Sequence, residues 1–338
     1  LLASLQTGLA APGIGQAPFP CYAQAAASGE TMRDLYDIVE IAASAAPPAV
    51  APAVDRLVEF LQRHQRVLML TGAGLSTGSG IPDYRDRDGV RRGKAPIQGP
   101  EFRRDERVRR RYWARSMVGY PVLSGTRPNA GHRAIAELQQ AGKLSAVVTQ
   151  NVDGLHQRAG SDAIPGGLIE LHGNIHRVVC LACNATFTRE FVQTLLEQAN
   201  PAMASAQAAP LPDGDAQLEP ESLADFHVPG CVHCGGMLKP DVVFFGDGVA
   251  RECSEDSQRL VDESDALLVV GSSVMVFSSF RLCRSAAAAG KPVAAINFGK
   301  TRADDLLSFK LEHAAEHLLP LLARRLIPGD REPGLVLP

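Results

Sequence analysis

Positive charge is missing from the first 32 residues, which hold no lysine or arginine. The basic region of a secretory signal and the arginine-rich character of a transit peptide are therefore not expected there. Long apolar runs are missing too: nothing approaches the roughly 20 residues that cross a bilayer, so no transmembrane segment is expected. Nor does the chain as a whole carry surplus positive charge. Its 34 Lys and Arg stand against 37 Asp and Glu, a formal net charge of -3, which disfavours a general polyanion binder and makes nucleic acid an unexpected partner. A disulfide framework is the last absence, because the seven cysteines of these 338 residues fall into two Cys-x-x-Cys pairs and three single residues, Cys21, Cys253 and Cys283. In a chain this long that is a metal pattern, and it points to a reducing compartment, expected to be the cytoplasm, or the mitochondrial matrix in a eukaryotic source.

The remainder has the composition of an ordinary folded protein, 45% hydrophobic and 21% charged, large enough for one full domain and a module. Met32 is the first methionine and a candidate natural start. Residues 42–53 form an Ala/Pro tract that buries little surface, so residues 1–53 are expected to be a disordered tail. Val54, Leu57, Val58 and Leu61 then recur at helical spacing and predict a helix over 54–64.

Residues 67–86 organise the rest. The apolar run 67–70 breaks straight into Gly72-Ala73-Gly74, which is how a buried parallel strand ends in a turn that must approach something closely. The dehydrogenase fingerprint wants glycines at i, i+2 and i+5, whereas these fall at Gly72, Gly74 and Gly78, and no acidic residue follows about 20 residues on at the end of a second strand. A phosphate cradle and a bare tight turn are both open on the glycines alone. Ser76, Asp83, Tyr84 and Arg85 in the same loop favour a ligand.

Helix and strand alternate beyond this loop. Residues 103–115 are dense in arginine, with Val108, Tyr112 and Trp113 on a helical pattern, and read either as a solvated helix face or as a ligand or nucleic-acid patch. A helix over 129–142 has a cap at Asn129 and a stop at Gly142. Strands 67–70, 146–149, 266–270 and 293–296 each end in small or polar residues: Gly72 to Gly74, Gln150 to Asp153, Gly271-Ser272-Ser273, and Asn297-Phe298-Gly299. In an open parallel sheet such carboxyl ends line the crevice where ligands bind. The expected fold is therefore a doubly wound, Rossmann-like α/β sheet.

Between the second and third of these strands stand Cys180, Cys183, Cys231 and Cys234. Four thiolates suit one tetrahedral structural zinc and leave no open position for substrate. The expected organisation is a Rossmann-like domain over 54–175 and 238–326, an inserted zinc-binding module over 176–237 and a tail over 327–338. Residues 200–215, rich in Ala, Pro, Gly and Asp, read as a long surface loop of the module.

The ordered set Gly72-Ala73-Gly74-x-Ser76, Ile81-Pro82-Asp83-Tyr84-Arg85, Thr149-Gln150-Asn151-Val152-Asp153, His172-Gly173-Asn174, the paired cysteines and Gly271-Ser272-Ser273 resembles the sirtuin family over about residues 54–322. Arg111 to Arg115, Leu238 to Asp247 and Thr301 to Leu306 resemble its class II branch. Two departures stand out, Tyr84 where many relatives carry Phe and Gly78 where the branch often has an acidic residue.

The resemblance implies NAD-dependent removal of acyl groups from protein lysine, with NAD as co-substrate and acyl-lysine proteins or peptides as partners. It implies His172 as general base on a ribose hydroxyl, with Asn151 and Asp153 beside it as catalytic residues. Asp153 would hold the nicotinamide carboxamide, Gln150 and Asn151 the ribose, and Arg85 with the amides of Gly72, Ala73 and Gly74 the diphosphate. Ser272, Ser273, Asn297 and the backbone around Ala315 would line the adenosine end. Ser76, Asp83, Tyr84, Val152, Gly271, Phe298 and Gly299 complete the implied cofactor site. Phe244-Phe245-Gly246 would offer the edge on which an acyl-lysine peptide adds as a strand, and Tyr112 with Arg115 would hold the distal carboxylate of an acidic acyl chain. The residues suit the chemistry, since breaking a glycosidic bond needs a dry pocket and fixed dipoles rather than a covalent nucleophile. An ADP-ribosyltransferase with the same NAD site stays open as an alternative. So does a non-enzymatic NAD sensor or zinc-ribbon binding module.

Overall fold

The computed structural model of the protein describes residues 50–92, 96–204, 223 and 225–327. The expected tail up to residue 49, most of the loop expected over 200–215 and the chain from 328 lie outside them. The first helix, α1 (Val50–Arg63), starts four residues before the expected position and takes in the end of the Ala/Pro tract, where Ala53 is buried. Pro52 is tolerated because it falls in the first turn, where backbone N–H groups have no helical partner.

In chain order there follow β1 (Val67–Thr71), α2 (Gly99–Arg104), α3 (Glu106–Gly125), α4 (Ala130–Gln140), β2 (Ala146–Thr149), α5 (Leu155–Arg158), β3 (Leu168–Glu170), β4 (Gly173–Cys180), β5 (Thr186–Thr188), α6 (Arg189–Ala199), β6 (Leu238–Val242), α7 (Arg251–Glu263), β7 (Ala266–Val270), α8 (Phe277–Ala288), β8 (Val293–Ile296), β9 (Leu307–Leu311) and α9 (Ala315–Leu326). The arginine-rich run is not one helix. It breaks at Asp105, which has extended backbone and caps α3 by accepting from Arg107 N at 2.8 Å. Several of its arginines are engaged locally: Arg103 pairs with Asp247, Arg107 with Asp105 and Arg110 with Glu106. Asn129 caps α4 as its position predicts, accepting from Gly131 N and His132 N.

Six parallel strands form the large sheet in the order β3-β2-β1-β7-β8-β9. Leu70 of β1 lies between Val148 and Val269. Because side chains alternate along a strand, Val67, Met69, Leu268 and Ile296 enter one core with Leu57 of α1, Ile135 of α4 and Leu318 of α9, while Leu68, Leu70, Leu267 and Val293 enter another with Val261 of α7 and Leu282 of α8. The chain runs outward from β1 through β2 and β3, then returns to β7 on the other side of β1. That reversal is the switch point where doubly wound sheets hold their ligands.

A three-stranded antiparallel sheet, β5-β4-β6, forms the second lobe. Its core joins Val178, Val192, Leu196 and Leu238 to Phe102, Tyr112 and Trp113 of α2 and α3. Among the described residues, no helix is long and apolar enough to cross a membrane.

Candidate active site

At the switch point a cavity of about 690 Å³ opens on the carboxyl ends of β1, β2 and β7. Its first wall is the turn after β1. A Cβ on Gly72 would lie 2.7 Å from Ser272 Cβ, and one on Gly74 would lie 2.9 Å from Gly271 O. The glycines are therefore required by the neighbouring strand end. Their amides are used in the same way, Gly72 N donating to Val270 O at 3.0 Å and Gly74 N to Gly271 O at 2.8 Å. Those two N–H groups brace β1 against β7 instead of facing a ligand, which leaves Ala73 as the residue of the three whose amide makes no such bond among the described residues.

The second wall is the loop after β2. Gln150 Nε2 donates to Ser272 Oγ at 2.7 Å, and Asn151 Nδ2 donates to Gly72 O and Ser76 Oγ, each at 3.1 Å. Asp153 is buried next to these residues and is not itself among those that line the cavity. Its Oδ2 accepts from Ser76 Oγ at 2.7 Å and its Oδ1 from Leu155 N at 2.9 Å. Burial pushes this carboxyl up, while the bonds from Leu155 N–H and Ser76 pull the other way. Ser76 is thus the joint between the glycine turn and the loop after β2.

His172, between β3 and β4, faces the cavity. Its Nδ1 lies 3.1 Å from Gln150 O, which can only accept, so Nδ1 carries the proton. Nε2 is then the basic nitrogen, and Ser278 Oγ lies 2.8 Å from it. Burial pushes this imidazole below its ordinary value, against the opposing effect of the Gln150 bond. The ring is therefore neutral near pH 7, with its lone pair turned toward the cavity side of α8.

Most of the residues picked from the sequence come together here. Gly72, Ala73, Gly74, Asp83, Tyr84, Arg85, Gln150, Asn151, Val152 and His172 line the cavity, as do Gly271, Ser272, Ser273, Asn297 and Phe298. Arg85 also donates to Gly89 O at 2.8 Å, holding the loop 83–92 closed on itself. At the far end Tyr112, Phe244, Phe245 and Gly246 line the wall. Ser76, Asp153, Gly299 and Ala315 stand outside it, and so does Arg115, half-buried one turn after Tyr112. The departure at Gly78 has a counterpart: the side chain of Glu316 fills that space, 3.0 Å from where a Cβ would stand.

Sequence reasoning missed the segment 274–278 and Arg281, which also line the cavity. The Gly271-Ser272-Ser273 strand end was the available signal, since whatever follows it must cross the crevice mouth.

In the second lobe, Cys180, Cys183, Cys231 and Cys234 place their four Sγ atoms within 4.8 Å of one another. Cys180 to Cys234 is 3.6 Å and Cys183 to Cys231 is 3.8 Å, which matches the edges of a tetrahedron with zinc–sulfur bonds of about 2.3 Å. Backbone N–H groups of Ala182, His233 and Gly236 point at three of the sulfurs from 3.4 Å. The donor set fits one structural zinc with no open position.

A doubly wound sheet with a histidine in the crevice at its switch point belongs to the class of α/β proteins that bind a ligand, commonly a nucleotide, at that place. The comparisons make this specific. A family model described as "Sir2 family" matches residues 72–278. An NAD-dependent protein deacetylase of Xanthomonas campestris is 49% identical over 81% of this chain and 92% of its own, and NAD-dependent protein deacetylase 3 of Pseudomonas syringae is 48% identical over 82% and 98%. A solved structure of Sir2 bound to acetylated peptide superposes with a TM-score of 0.60 at 27% identity, covering 81% of this chain and 96% of that one. The chain belongs to the Sir2 family.

Proposed function

We infer that the protein is an NAD-dependent protein deacetylase, releasing nicotinamide and forming O-acetyl-ADP-ribose. The observation that carries this reading is His172, held with its basic Nε2 toward a cavity that the turns after β1, β2 and β7 also line. NAD supplies the chemistry when bound, since its glycosidic bond gives up nicotinamide and its ribose accepts the acyl group. Arg85 and Ala73 meet the diphosphate, Gln150 and Asn151 the ribose, and Ser272, Ser273 and Asn297 the adenosine. His172 takes up a ribose hydroxyl proton at Nε2. Asp153, its Oδ2 bonded by Ser76, meets the nicotinamide carboxamide. Phe244 to Gly246 carry the acyl-lysine peptide along their edge, where Phe245 is exposed and bridges to Gln98. The NAD-binding domain is residues 54–175 and 238–326 and the zinc module 176–237, with the strands at the two junctions, β4 and β6, paired in the sheet of the second lobe.

Sequence detail supports the class II branch through Tyr112, Trp113 and the Leu238 to Asp247 run, and the bacterial relatives support a cytoplasmic place. Tyr112 on the cavity wall favours a second reading of the acyl group, in which a distal carboxylate is taken up by Tyr112 and Arg115.

Incubation with NAD and acetyl-lysine peptides tests the function. O-acetyl-ADP-ribose in step with deacetylated peptide is the expected product, and His172→Ala should lose at least about 100-fold in turnover while still binding NAD. ADP-ribosylated protein without deacetylation would point to the transferase instead.

A further inference from the structure

A chain of contacts outside the cavity reaches its loop from the zinc-bearing lobe. His176 of β4 places Nε2 3.0 Å from the carbonyl oxygen of Asp153, and because a carbonyl only accepts, that nitrogen carries the proton. The other ring nitrogen, Nδ1, lies 3.0 Å from the hydroxyl oxygen of Tyr120 in α3. The same hydroxyl is within hydrogen-bond reach of Glu190 Oε1 at the start of α6, so its single proton serves Nδ1 or Glu190 at any one time. The next residue back, Arg189, sets its guanidinium over the Tyr120 ring, 4.4 Å from the centroid. Tyr120 is therefore held by two successive residues of α6 and hands that placement to His176.

The loop receives it at two points. Ile175 N donates to Val152 O at 2.9 Å, a backbone bond that any residue there makes. The bond to Asp153 O needs a side chain that reaches and donates. Gly154 follows with a φ of +69°, and a Cβ on it would stand 2.9 Å from His176 Cδ2, so the ring also occupies the space under the turn. Gln150, Asn151 and Val152, just upstream, line the cavity, whereas His176 does not.

We propose that His176 is a positioning residue for the loop 150–154, anchored by Tyr120 and Glu190, and that α6 of the zinc-bearing lobe thereby sets the geometry of the nicotinamide end of the site. The proposal rests on the deacetylase reading, and it assigns His176 no contact with substrate. Its physical content is that Asp153 O is fixed by a side chain of the zinc-bearing lobe, His176, whose orientation is set through Tyr120 by Glu190 of the same lobe.

The test compares His176→Leu, His176→Gln and Tyr120→Phe with the parent, using NAD affinity by calorimetry, steady-state KM for NAD and for acetyl-lysine peptide, and inhibition by nicotinamide. His176→Leu should raise the NAD and nicotinamide constants about tenfold and leave the peptide KM within about twofold. His176→Gln should recover most of this, because its amide donates to the same carbonyl. Tyr120→Phe should fall between them. Unchanged NAD and nicotinamide constants in His176→Leu would overturn the proposal, as would equal behaviour of the Leu and Gln variants with only a lowered melting temperature. If His176→Leu does not fold, Tyr120→Phe keeps the packed rings and decides alone, unchanged constants counting against the anchor. A parent that binds NAD but deacetylates nothing would strike the deacetylase reading, while the calorimetric comparison still reads the anchor.

Discussion

Ser278 Oγ lies 2.8 Å from Nε2 of His172, on the nitrogen that Gln150 O leaves free by taking the proton of Nδ1. Nε2 has no proton to give in this tautomer, so Ser278 donates and stabilises the neutral ring. Removing that donor makes protonation easier. Ser278→Ala is therefore expected to move the acid limb of kcat/KM to higher pH by roughly half a unit to one unit, the value of one hydrogen bond. A profile that superposes on the parent's would show that the hydroxyl leaves Nε2 when substrates bind.

Acid stability should be governed by two other histidines. His132 and His156 meet edge to face with ring centroids 5.2 Å apart, and burial pushes them down to about 3 and about 4. Both folded values lie below the ordinary value near 6.5, so the folded state favours the neutral rings. Their contribution is fully present above pH 6.5 and is lost as pH falls toward 4 and then 3. At about 1.4 kcal/mol per unit, discounted because the rings interact, several kcal/mol should disappear across that range. Urea unfolding at pH 7.5, 6 and 5 measures it. A midpoint that does not fall would mean that these rings reach solvent.

The strand ends were legible because buried parallel strands read as unbroken apolar runs, and a run that stops at glycine or serine marks its own end. Residues 146–149, 266–270 and 293–296 coincide with β2, β7 and β8. Identity was legible too, but direction was not. Nothing local tells Asp153 to bond Ser76, or the amides of Gly72 and Gly74 to face β7, because both depend on how closely neighbouring segments approach. The break at Asp105 was hidden by arginines on both sides of it. Tyr120, His176 and Glu190 escaped because they are 56 and 70 residues apart in sequence and meet only when the second lobe packs on α3.

Gly72→Ala tests the packing of the turn. The new Cβ would meet Ser272 Cβ at 2.7 Å and Gly271 O at 2.9 Å, so the two strand ends must part. A loss of about 1–3 kcal/mol in unfolding free energy is expected, together with weaker NAD binding in a calorimetric titration. Full stability in the variant would show that the turn relaxes without cost.

Cys231→Ser should release zinc and unfold the second lobe, because structural zinc contributes on the order of 10 kcal/mol of folding free energy in small peptides. Metal analysis should find one zinc per chain in the parent and none in the variant. Iron in the parent, or a variant that keeps its zinc, would refute the assignment.

The acyl end offers the last test. Tyr112 lines the cavity against Phe244 and Phe102, with ring centroids 5.2 and 5.5 Å away, while Arg115 stands one turn on along α3, outside the lining residues and half-buried. A guanidinium meets a carboxylate with two parallel hydrogen bonds, and such a pair formed out of water is strong, whereas an acetyl group gives it nothing to hold. If Arg115 turns toward a succinyl or glutaryl chain, Arg115→Met should lower kcat/KM for those peptides by roughly tenfold or more and leave acetyl-lysine within about twofold. Parallel measurements on acetyl, succinyl, glutaryl and lipoyl peptides decide it. An equal loss on all four would make Arg115 part of the packing of α3, and an unchanged ranking would leave Tyr112 as a wall for the acetyl group alone.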